Sequence, residues 1–118
     1  MKKLFTVFVV FMMLAFSACS VEKEILITSQ NSPDNEHTVY LYQVGSPQWS
    51  FGSVNAKLVL ENSSGKMVDE KEFALANDGA GVFEGNIKEI TWLENQVEII
   101  MDEADTTRQY TYILNYSE

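Results

Sequence analysis

Beyond residue 24, apolar positions recur at every second residue, the spacing of side chains that alternate between the two faces of a strand. Over 54–61, Val54, Ala56, Leu58 and Leu60 fall on one face and mostly polar residues on the other. Wound into a helix, the same residues would scatter around its axis. The turn formers Asn62-Ser63-Ser64-Gly65 follow and extended character resumes to residue 75, which predicts a β-hairpin over 54–75. A second hairpin is expected to join 87–93 to 96–102 through Glu94 and Asn95, with Val97, Ile99 and Met101 alternating with Glu98, Ile100 and Asp102. A last strand over 108–116 carries Tyr110, Tyr112, Leu114 and Tyr116 on one face, and aromatic rings suit a pleated, half-buried surface. Upstream, strands over 24–29 and 37–44 flank a segment dense in turn formers around Ser32-Pro33-Asp34-Asn35. Only 71–77 leaves room for a helix. The chain therefore reads as all-β, an antiparallel sandwich or small barrel of about seven strands, largely a meander.

The first nineteen residues follow another pattern: Lys2 and Lys3, an apolar run over 4–16, then Ser17, Ala18 and Cys19. The run is too short for the ~20 residues that cross a bilayer, and its basic start and small-residue end are those of a secretory signal. The order Phe16-Ser17-Ala18-Cys19 resembles the lipobox of bacterial lipoproteins, with Phe16 where Leu is usual. That resemblance implies a signal peptide over 1–18, cut before a diacylglyceryl-modified Cys19, a tether over 19–24 and a single β domain over 25–118. Two or more acyl chains hold a membrane stably where one does so only marginally. At ~3.5 Å per extended residue, residues 20–23 reach on the order of 15 to 20 Å. In a Gram-negative envelope, Ser20 after the lipidated cysteine would resemble the outer-membrane sorting pattern.

Seventeen acidic residues oppose eight basic ones, a net charge of −9. Loss of Lys2 and Lys3 with the signal peptide leaves six basic against seventeen acidic. So acidic a chain is unsuited to nucleic acid, which is bound through basic patches, or to a polybasic contact with anionic lipid. It favours a cationic partner, although plain solubility needs the same charge. Cys19 is the only cysteine, so no disulfide framework supports the fold and the core must.

Candidate chemistry is sparse. The only histidine, His37, opens a strand as a surface residue and has no nucleophile motif beside it, no zinc ligand set is present, and neither an enzyme nor a cofactor is expected. Asp102, Asp105 and Asp78 lie in loops that offer oxygen ligands to calcium, but neither loop matches an EF-hand, and Asp or Asn beside Gly is also ordinary turn chemistry. The 45–53 connection sets Trp49 and Phe51 among small residues, the composition of a loop that offers apolar contacts to a partner or sugar. The same rings could instead close one end of the core. Phe83, in the glycine-rich 78–85 segment, joins that candidate surface if both loops lie at one end.

The run from Ser32 to Tyr42, Gly45, the Trp49-Ser50-Phe51-Gly52 segment, Lys57 to Leu60 and Asn77-Asp78-Gly79 resemble small uncharacterised lipoproteins of low-GC Gram-positive bacteria. The resemblance spans 32–92 and implies a β-rich extracytoplasmic domain with no established activity, so it carries over no functional residue. The sequence thus leads to the expectation of a lipoprotein held on the extracytoplasmic face of the cell membrane through Cys19. It would be a non-enzymatic binding or accessory module for an envelope protein or glycan. The alternative is an acidic inhibitor or immunity-type protein that neutralises a basic toxin or hydrolase.

Overall fold

The structure, a computed structural model, describes residues 23–47, 52–104 and 108–117. Seven antiparallel strands form two sheets. The first is a four-stranded meander of β1 (Glu24–Asn31), β2 (His37–Val44), β3 (Val54–Asn62) and β4 (Met67–Leu75). The second is a three-stranded meander of β5 (Ile87–Trp92), β6 (Gln96–Asp102) and β7 (Gln109–Asn115). Both hairpins form where the alternation placed them. The helix allowed for over 71–77 does not: β4 runs to Leu75 in register with Val54, and Phe73 and Leu75 face the core at the period of a strand. The only helical turn among the described residues is a 3₁₀ turn, Glu84–Asn86, in the segment read as a glycine-rich loop.

The sheets pack face to face. Val39, Leu41, Val54, Ala56, Leu58, Leu60 and Leu75 from the first meet Val97, Ile99, Met101 and Leu114 from the second in a single buried cluster. Each large aliphatic side chain buried there contributes about 1.5 to 3 kcal/mol. One flank is sealed where β4 meets β7: Phe73 stacks on Tyr112 with ring centroids 4.2 Å apart, and the Asn115 N–H donates to Asp69 Oδ2 at 2.9 Å. The other flank, between β1 and β5, keeps a hollow of about 110 Å³. Both strands bordering it shift register, β1 between Leu26 and Thr28 and β5 between Ile87 and Glu89. Such irregularities blunt an unpaired edge against further strand addition.

One connection, 76–86, carries the chain from the first sheet to the second, and buried amides hold it. Asn77 and Asn86, each 1% exposed, exchange side-chain hydrogen bonds of 3.0 and 3.1 Å. Asn86 Oδ1 also accepts from the Phe83 N–H, and its Nδ2 donates to the Asp102 carbonyl. Asn77 Oδ1 accepts from the Ala104 N–H, and Glu103 Oε2 accepts from the Ala76 N–H at 2.7 Å. Gln43 Oε1 reaches from β2 to accept the Val82 N–H. It lies so close to Gly81 that a Cβ there would stand 2.5 Å from it, so this glycine answers to space rather than to backbone angle. Gly79, with φ of 79°, does supply a left-handed turn.

Replacing Asn86 by Ala strands several buried donors and acceptors together, each costing about 1 to 3 kcal/mol. In urea unfolding, Asn86→Ala is expected to lose about 3 kcal/mol or more, whereas Ser63→Ala in an exposed turn stays within about 0.5 kcal/mol. Equal midpoints for the two variants would show that the amide pair does not hold the connection.

Candidate functional site

Strand direction sorts the loops into two ends. At one end the Gly45 N–H donates to the Lys23 carbonyl beside the start of β1, the Gly79 N–H donates to the Gly52 carbonyl, and the 76–86 connection meets Glu103 and Ala104. At the other end lie the β1–β2 turn, the β5–β6 turn and the residue that follows β7. These three come together around a groove of about 410 Å³ lined by Asp34, Glu36, His37, Trp92, Glu94 and Tyr116, among others.

The β1–β2 turn is built by its own side chains. The Asn35 N–H donates to the Ser32 carbonyl, and Asn35 takes a φ of 61°, which asparagine tolerates better than most residues. Buried Ser32 donates through Oγ to Asp34 Oδ1 at 2.5 Å and accepts the His37 N–H at 3.1 Å. Asp34 Oδ1 also accepts the Glu36 N–H at 3.0 Å. The Ser32 hydroxyl first, then the Glu36 N–H, hold the Asp34 carboxyl below its ordinary value of 3.8. Asp34 is thus a fixed anion on the groove rim.

The walls are aromatic. His37 stacks on Tyr116, with centroids 4.4 Å apart and planes 19° from parallel. The Tyr116 N–H donates to the Asn95 carbonyl, which ties the end of β7 to the β5–β6 turn. Burial raises the Tyr116 hydroxyl above 10.0. Trp92 closes β5, and its indole Nε1–H is buried without a hydrogen-bond partner. His37, expected at the surface, is instead half-buried, because the sheet that brings Tyr116 to it is formed by residues far along the chain.

The residues singled out from the sequence lie elsewhere or outside the described residues. Cys19, Trp49, Phe51 and Asp105 lie outside them, as does the signal peptide over 1–18. Phe83 is 43% exposed, at the end where β1 begins, and its ring lies over Gly85. The 45–53 and 78–85 connections do share that end, as the Gly79–Gly52 hydrogen bond shows. Asp78 occupies an exposed turn position with φ of 54°. Asp102 keeps Oδ1 buried without a partner. Among the described residues, no group of three or more His, Cys, Asp or Glu side chains is placed to hold a metal ion.

The groove was not anticipated, although one signal for it existed. His37 opens a strand, Trp92 closes one and Tyr116 follows one, and strand alternation puts all three on the inward face. Comparison with protein-family models, curated proteins and solved structures finds no match to the chain.

A lowered carboxyl contributes stability that is present above the unfolded value and is lost as pH falls through the folded one. For Asp34 that window lies below 3.8. In an NMR titration from about pH 6 to about pH 2, the Glu36 amide proton should therefore shift with a midpoint below 3.8. It should lose that step in Asp34→Asn, and a midpoint at or above 3.8 would contradict the turn geometry.

Proposed function

We propose that the chain is a lipid-anchored binding module of the bacterial cell envelope, with no catalytic role, that presents its groove away from the membrane. The observation that carries this reading is the opposition of the two ends. The chain enters β1 at Lys23, whose carbonyl is bonded by Gly45, and the groove opens at the far end of the same strands. A lipid on Cys19 with only residues 20–23 between it and the domain keeps the first end at the bilayer. Strands of about 8 residues, at ~3.3 Å each, then carry the groove a further ~25 Å outward. A protein or glycan in the envelope can reach it there without crossing the headgroups.

Phe83 fits a different place in this arrangement from the partner contact expected for it. Lying at the end where β1 begins, it faces the bilayer side. The inhibitor-like reading is favoured by one feature, the three carboxylates of the groove rim, Asp34, Glu36 and Glu94.

Two measurements test the proposal. Cys19→Ala should abolish incorporation of a fatty-acid label and move the protein out of the lipid-anchored fraction; unchanged labelling and fractionation would refute the anchor. Crosslinking of the wild-type chain in native envelopes should capture a partner at groove positions such as Glu94, and capture only through the Phe83 end would refute the orientation.

A further inference from the structure

We propose that the groove is the seat of a lysine or arginine side chain from a basic segment of a protein partner. The inference rests on the binding-module reading and names the chemistry of its ligand. Its walls are aromatic, the His37–Tyr116 stack and Trp92, and its rim carries the carboxylates of Asp34, Glu36 and Glu94 with no lysine or arginine among the lining residues. A long cationic side chain is amphipathic in the same way: its methylene stem packs on rings while its charged head meets carboxylates. A groove of about 410 Å³ has room for such a side chain and its hydrated head.

Four other carboxylates of the domain, Glu24, Glu70, Asp69 and Glu103, already have partners. Lys57 donates to Glu24 and lies 3.9 Å from Glu70 on the outer face of the first sheet. Asp69 accepts the Asn115 N–H, and buried Glu103 accepts the Ala76 N–H. The Glu36 and Glu94 carboxylates have no such partner among the described residues, while Asp34 is held ionised by the turn beneath it. The groove therefore has no lysine or arginine counter-ion of its own, and His37 is the only basic side chain in its lining. Its position opposite Lys23 also turns it away from lipid headgroups, which leaves a protein as the source of the cation.

The test uses the full acylated protein in neutral detergent micelles, with N-acetyl-tetralysine amide as probe and its Nζ-acetylated counterpart as the neutral control. In ¹H–¹⁵N spectra, the lysine peptide is expected to move the Trp92 indole N–H and the amides of 34–37 and 93–95. Its affinity should fall about tenfold or more between about 0.05 and about 0.5 M salt. The double variant Glu36→Gln/Glu94→Gln should weaken binding about fivefold or more, whereas Glu70→Gln/Glu72→Gln, on the outer sheet face, should leave it unchanged.

Equal weakening by both double variants, or shifts spread over all acidic surfaces, would overturn the proposal in favour of non-specific charge attraction. Equal binding of the acetylated peptide would overturn the cationic seat. Shifts of the same amides by an N-acetylglucosamine trimer, with none from the lysine peptide, would replace it with a glycan site and leave the binding-module reading standing. The envelope crosslinking separates the two readings in the same way. A partner captured equally by wild type and by Glu36→Gln/Glu94→Gln sinks the cationic seat alone, and no capture at all sinks the module.

Discussion

The structure depends on a pair of side-chain amides. Asn77 and Asn86 lie nine residues apart, bonded to each other at both ends and shut away from water. Each sheet is a meander whose neighbouring strands follow one another in sequence, so local hairpins are enough to form it. The relation between the sheets is a different matter. It is set by one connection, and an irregular connection buried at the end of a sandwich must find partners for its backbone groups. The amide pair supplies them for Phe83, Ala104 and Asp102, and Glu103 does so for Ala76. Apolar packing would favour many relative placements of two greasy faces; a satisfied polar network at the edge of the core favours few.

That division of labour explains what could be read from the sequence. Period-two alternation located the strands, because a half-buried strand must repeat every second residue, and Asn62 to Gly65 marked its turn through residues suited to it. The side-chain acceptor of Asn62, bonded to the N–H groups of Ser64 and Lys66, is the physical content of that signal. The amide pair was not legible in the same way. Asn77 and Asn86 sit in a glycine-containing stretch whose polar residues suggest an exposed loop, and nothing local distinguishes a solvated asparagine from a buried one. The groove was hidden for a related reason. His37 and Tyr116 are separated by almost the whole domain, and their stacking follows from the packing of two sheets rather than from any motif.

Surface charge is not spread evenly in its consequences. On the outer face of the first sheet, Lys57 lies between Glu24 and Glu70, and the hydrogen bond to Glu24 is the main reason its ammonium is held above 10.5. Exposed pairs of this kind contribute about 0 to 1 kcal/mol, so their interest lies in local neutralisation. The groove rim lacks such a counterweight. In a protein of strongly negative net charge, three carboxylates at the end farthest from Lys23 thus line a groove that includes no lysine or arginine.

The path of the chain through β1 has a mechanical side. This strand runs from Lys23 to the turn that builds the groove rim, and it lies antiparallel to β2 along its length. Tension applied between Lys23 and the groove walls of the second sheet, Trp92 and Tyr116, enters along the β1 axis and must leave through other strands. It strains the hydrogen bonds between β1 and β2 together, in shear, instead of peeling them apart one after another. A strand at the edge of a sheet would be the easiest to strip away sideways, yet pulled lengthwise it resists with its whole ladder at once. Load passing through the domain from its first strand to its groove therefore meets the fold in its stiffer direction.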